Sequence, residues 1–221
     1  MTRERVAQVL ASASPDHPAD LSGRDLSGLD LTGLNFSRAK LTQSTLVGTK
    51  FSKDTMFAAD LSGAHAHGAN FDGAVLDVGV FRGTDLTQAS FRGASVYAVI
   101  MLGADLSGAD LTDARLIGAM GDTKLVGAKL VNVRAGADMR NQPMGLMRTD
   151  LTGADLTGAD LTGANLQHAR LVRSNFTNAT LTHADVTNAD LNSAIFHSVH
   201  GRESIVGWDK ALNADQAILD H

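Results

Sequence analysis

Between Asp150 and Leu166 the sequence repeats Asp-Leu-Thr-Gly-Ala three times without a break and closes on Asn165-Leu166. A five-residue period matches neither the roughly 3.6 residues of a helix nor the two of a plain strand. One rule therefore has to generate both the spacing and the fold, and a repeat of this kind is read before anything else. Stepping by five from Leu21 to Leu116 meets a large apolar residue at nineteen of twenty positions, with Ala66 the exception.

Two residues before most of these centres stands a small residue, as at Ala39, Ala59, Ala64, Ala69 and Ala104. Residues two apart on an extended segment point the same way. The large and small residues then face inward together, and the Asp, Asn or Lys between them faces water. The next two positions are mostly Ser or Thr and then Gly, which supplies a left-handed corner at little steric cost. Each pentad reads as a short extended side followed by a turn.

The ends and one interior stretch break the rule. Residues 1–18 read as a capping helix and linker, with Val6, Val9, Leu10 and Ala13 at helical spacing before Pro15 and Pro18 stop it. A solenoid needs such a cover at its open end. After Leu116 the register slips, so that Leu125 and Leu130 stand one residue early, and Ala137-Asp138-Met139 reads as one further pentad. Residues 139–148 then fit no pentad and read as an inserted loop, the kind of place where solenoids bind. The register returns from Leu151 to Phe196. Residues 197–221 read as a loop and a capping helix beginning at Trp208 or Asp209, with Ala211, Leu212, Ala217, Ile218 and Leu219 on its buried side.

With its A-(D/N)-L-x-x pattern recurring over about residues 19–196, the chain resembles the pentapeptide-repeat family. The resemblance implies an all-β solenoid, a right-handed quadrilateral parallel β-helix with four pentads per coil and about nine coils, with short helices capping both ends. Phe51, Phe71 and Phe91 stand twenty apart, as do Phe176 and Phe196, so a twenty-residue coil stacks their rings. The same spacing alternates charge outside, through Asp20, Lys40 and Asp60, and through Asp150, Arg170 and Asp190.

Composition narrows the function classes. The net charge of -5 argues against direct nucleic-acid binding, whose footprint is basic. There is no cysteine, and no apolar run is long enough to enter a membrane as a spanning helix. The start lacks a signal-peptide core, which makes the cytoplasm the expected compartment, or the periplasm if the chain is a processed or truncated product. An interior filled with Leu, Phe and Ala leaves no ligand-sized cavity, so no enzyme activity, cofactor or metal is expected. The aspartates recur as a solvated face. His65 with His67, and His197 with His200, lack the further ligands that a metal needs.

The exception to a polar exterior is a set of apolar residues in outward or corner slots: Phe57, Val75, Val78, Val80, Tyr97, Ile100, Leu102 and Ile117. Such a gathering is normally covered. One cover is the chain's own loop, through Met139, Asn141, Gln142, Met144, Leu146 and Met147. The other is a protein partner or a second copy in a homodimer. The primary expectation is a non-catalytic structural or protein-interaction module. The resemblance also implies an alternative, a mimic of duplex DNA that binds DNA gyrase or topoisomerase IV, as the family's fluoroquinolone-protection proteins do. About nine coils at ~4.8 Å give a rod of roughly 43 Å, over which duplex DNA carries about 25 charges. The net charge of -5 falls far below that, and basic residues interrupt the acids.

Overall fold

The computed structural model describes residues 1–138 and 147–220. An N-terminal helix, α1 (Arg3–Ala11), is followed by a solenoid of single-residue parallel bridges, with a few longer strands where neighbouring sides pair over more residues. These are β1 (Ser95–Ile100) paired with β2 (Arg115–Ala119), and β3 (Ile195–Phe196) paired with β4 (Ile218–Leu219), all parallel.

Four ladders run the length of the rod. The first passes through Asp20, Lys40, Asp60, Val80, Ile100, Ala119, Asp150, Arg170, Asp190 and Leu212. The second, third and fourth start at Asp25, Asp30 and Asn35. Each side donates and accepts across coils, as in Phe51 N–H to the Asn70 carbonyl at 2.7 Å and Asn70 N–H to the Thr49 carbonyl at 2.9 Å. Each corner closes locally, as in Ala74 N–H to the Phe71 carbonyl at 3.0 Å around Gly73 at φ 64°. That is the turn whose third residue needs a positive φ.

The centres fill the column as the period requires. Leu26, Phe51, Phe71, Leu86, Leu125, Leu161 and Leu191 are fully buried, each contributing about 1.5–3 kcal/mol. Phe51 stacks on Phe71 with centroids 5.1 Å apart, Phe71 on Phe91 at 4.9 Å, and Phe176 on Phe196 at 4.8 Å. Where an inward small slot holds Ser or Thr, the hydroxyl donates to a carbonyl, as Ser44 does to Leu41 at 2.7 Å and Thr49 to Leu26 at 2.9 Å. At the N-terminal end Val6 of α1 is fully buried over the first coil, with Leu29 and Leu34 packed below it. Arg3 ties the helix down by donating to the carbonyls of Asp30 at 2.7 Å and Thr32 at 2.9 Å.

The C-terminal end departs from the expected helix. The bridges continue at His200, Val206, Leu212 and Ile218, so the last coil still meets all four ladders, with its first three sides lengthened to six residues. Its corners are short 3-10 turns at Arg202–Ser204, Trp208–Lys210 and Ala214–Gln216, preceded by left-handed Gly201, Gly207 and Asn213. A left-handed residue every sixth position interrupts any helix. Ile205, Ala211 and Ala217 face the core, whereas Leu212 and Ile218, expected to be buried, are 53% and 45% exposed. The Trp208 ring meets Phe196 edge-on at 5.0 Å and closes the ring stack.

Candidate functional site

The sequence-predicted apolar residues gather around the corner between the fourth ladder and the first. On the fourth ladder Val75 bridges Thr55 and Ser95. At the corner beyond it, Phe57, Asp77 and Tyr97 stack coil on coil, shown by Ala58 N–H reaching the Asp77 carbonyl and Val78 N–H the Tyr97 carbonyl. Asp77 steadies this corner by accepting the Ser95 hydroxyl at 2.6 Å and the Tyr97 N–H at 3.1 Å. Phe57, Val75, Val78 and Leu102 are exposed, with Val78 at 44%. Val80 and Ile100 pair on the first ladder and are half-buried, as is Tyr97. Val78 has φ 63°, although β-branched residues seldom adopt that conformation and Gly fills the same corner slot elsewhere, as at Gly73 and Gly83.

Ile117 is a correction: it is 4% exposed rather than part of the open surface. The side Arg115–Ala119 has one residue fewer than its neighbour, so β2 pairs with β1 across a bulge between Tyr97 and Val99. To close the shortened side the chain passes directly over the Val99 backbone at Gly118, where an added Cβ would overlap the Val99 carbonyl oxygen. That close approach draws Ile117 inward. Downstream centres then fall at Met120, Leu125, Leu130 and Ala135.

The following coil holds the insertion. Ala119 bridges Asp150, 31 residues later, where other coils close in about twenty. The last described centre before the insertion is Ala135, and Asp138 meets Met147 through an antiparallel bridge, while Met139, the centre expected for Ala137-Asp138-Met139, lies outside the described residues. The Asp138 N–H donates to the Met147 carbonyl at 2.7 Å. Met139, Asn141, Gln142, Met144 and Leu146 lie outside the described residues. Met147 is half-buried and, with Arg148, borders a surface groove shared with Ala98 and Ile100.

Deletion and insertion together create a polar cluster that the periodicity did not reveal. The Arg115 guanidinium lies 3.9 Å from the Tyr97 ring centroid and donates to the 7% exposed Asp138 carboxylate at 3.1 Å. Arg134 is the next residue on the same ladder, and below it come Asn165 and Asp185. Between them opens a notch of about 350 Å³ lined by Arg115, Ile117, Arg134, Gly136, Asp138, Asn165, Gln167 and His168. Arg115 occupies an ordinary outward slot, so its sequence position carries no sign of this role. The one available signal was the lost residue before Leu125.

Among the described residues no group of three or more His, Cys, Asp or Glu could hold a metal ion. His67 instead lies 2.8 Å from the Thr87 hydroxyl. No described helix is long and apolar enough to cross a membrane.

A β-helical solenoid of four ladders defines the class. The sequence profile of the family described as Pentapeptide repeats matches residues 19–53, 56–93, 89–120, 146–167 and 159–197. The chain belongs to that family. HetL, a pentapeptide repeat protein involved in heterocyst differentiation regulation in the cyanobacterium Nostoc, is 25% identical, with a TM-score of 0.50 over 99% of this chain and 94% of HetL. A trypsin-treated variant of QnrB1, a plasmid-mediated fluoroquinolone resistance protein, has the same fold at 19% identity and a TM-score of 0.50, covering 90% of this chain and 91% of that one. No curated protein sequence matches the chain significantly.

Proposed function

We propose that this chain is a protein-binding rod whose contact surface is the corner formed by Phe57, Val75 and Val78, continuing past Tyr97, Ile100 and Leu102 to the base of the insertion. Val78 carries the reading. It is apolar, exposed and left-handed at once, and strained residues of that kind persist where a contact uses them. A type II DNA topoisomerase is the partner class to test first, supported by the family resemblance and by the fold shared with QnrB1. This assignment requires the cytoplasm.

The charge layout favours a contact at the corner over one along an acidic stripe. Asp30 pairs with Lys50 at 3.8 Å, Asp105 with Lys124 at 3.5 Å and Asp150 with Arg170 at 3.2 Å, each within its own ladder. No unbroken row of acids imitates a DNA strand on those ladders. Exposed pairs of this kind contribute at most about 1 kcal/mol but cancel the field that mimicry needs.

The test is a DNA gyrase supercoiling assay with a fluoroquinolone present, using the full chain and Val78→Gly. Left-handed Val costs about 1–2 kcal/mol relative to Gly, so the variant melts at a higher temperature while inhibition or drug protection falls. Neither inhibition nor protection by the wild type at micromolar protein removes topoisomerase as the partner. Sedimentation of Val75→Asp beside wild type decides whether a second copy covers the patch, since a homodimer through this corner becomes a monomer.

A further inference from the structure

We infer that the notch beside the insertion receives a carboxylate side chain from the partner protein, seated on Arg134. This rests on the protein-binding reading above and names the chemistry of the segment bound. Two arginines follow one another on the fourth ladder, Arg115 bridged to Arg134, about 4.8 Å apart along the rod. Like charges so placed repel unless each meets an acid. Arg115 has one, Asp138, with its guanidinium backed by the Tyr97 ring.

Among the described residues no acid lies within ion-pair reach of Arg134, which donates at 3.4 Å to the Asp113 main-chain carbonyl. The Asp113 carboxylate accepts instead from Asn132 at 3.3 Å. The rest of the wall is built of amides and an imidazole, beside the Asp138 carboxylate that Arg115 already pairs. The Asn165 oxygen accepts Gln167 N–H at 3.0 Å, and its amide lies against Gly136, where an added Cβ would come 2.5 Å from Oδ1 and 3.4 Å from Nδ2. Gln167 Nε2 is held by Asp185 at 2.5 Å, and His168 lies 3.5 Å from Asn188. A planar guanidinium fork with an adjacent amide fits a carboxylate through paired hydrogen bonds, and the Arg115–Asp138 pair one coil away shows this ladder binding one.

Val75 lies three coils above Arg134 on the same ladder, about 14 Å away, a span of roughly four extended residues. The segment that fits runs along the rod with an apolar residue on Val75 and Val78 and an acid about four positions away in the notch.

The probe is the acetylated, amidated pentapeptide Leu-Gly-Ser-Gly-Glu, titrated into the full-length, nitrogen-15-labelled protein and followed by two-dimensional NMR. It should shift the Arg134 Nε–H and the side-chain amides of Asn165 and Gln167 at millimolar peptide, the range for one small contact set. The Gln version of the peptide should bind about tenfold or more weakly. Arg134→Gln should abolish the shifts while leaving the remaining spectrum in place, which also shows that the variant folds. Equal binding of the Glu and Gln peptides, or unchanged shifts in Arg134→Gln, overturns the assignment. Equal shifts from inorganic phosphate also overturn it, by marking a general anion site. If Arg134→Gln keeps full partner binding while Val78→Gly loses it, the notch is refuted and the protein-binding reading stands. The opposite pattern refutes the corner and leaves the notch.

Discussion

Asp54 fills an inward slot where neighbouring pentads place Ser44, Thr49 or Ala59. One carboxylate oxygen accepts the Gly33 N–H, a donor that in the preceding corner runs to a carbonyl one coil on, as Gly28 does to Val47 at 2.9 Å. The other oxygen has no hydrogen-bond partner among the described residues. Burial pushes the group up from 3.8 to about 6, against the pull of the Gly33 N–H and the Arg3 charge. A folded-state value above the unfolded one favours the protonated protein. The stabilising contribution is therefore complete below about pH 4 and is lost as pH rises through 6. Asp54→Ser should raise the melting temperature at pH 7 and flatten its change between pH 5 and 7. Parallel curves for the two proteins would contradict this.

The outward aspartates have the reverse sign. Hydroxyl and main-chain donors from Ser22, Ser27 and Thr32 hold Asp20, Asp25 and Asp30 below their ordinary range, so their support disappears only in acid. The sequence presents these residues as water-facing because their spacing is all it shows. What the spacing omits is that Asp-Leu-Thr is a bonded unit: Asp150 accepts both the Thr152 N–H at 3.0 Å and its hydroxyl at 2.6 Å. That preference for Asp ahead of Ser or Thr is the local turn chemistry of short polar side chains.

Among the elements, the short side Arg115–Ala119 has the greatest effect on the surface. Gly118 permits it by lying where any Cβ meets the Val99 backbone. Gly118→Ala should destabilise the protein by about 1–3 kcal/mol through overpacking. Gly121→Ala, whose added carbon meets Leu102 and Thr152 at an ordinary 3.5 Å, should change stability little. Urea unfolding of the pair tests the assignment, and equal losses would move the strain elsewhere.

The slip at Leu125 is legible in the sequence, yet its consequence for Ile117 is not. Periodicity reports which residues face inward, not where a missing residue is taken up. The C-terminal coil misleads for a related reason: Ala211, Leu212, Ala217 and Ile218 have a spacing that imitates a helical stripe. The Gly207 and Asn213 corners, six residues apart, give the true period. The ring stacks needed no such correction, because nothing competes with the five-residue rule there.

At the scale of the whole molecule, almost every described bridge joins residues one coil apart. Stability then accumulates from neighbour to neighbour, as in other repeat proteins. The insertion disturbs this arrangement little, since closing 31 residues instead of twenty costs about 0.4 kcal/mol of chain entropy. A loop, and with it a notch, can be carried at that position without weakening the rod.

The ladder of twenty-residue closures also sets how the molecule gives way when stretched. Pulled from its two ends, it should release chain one coil at a time, about 7 nm per event for twenty extended residues. The coil between Ala119 and Asp150 should give a single longer release of about 10 nm. A single-molecule extension trace would thus mark where along the rod the loop is carried, by the length of one step among its neighbours.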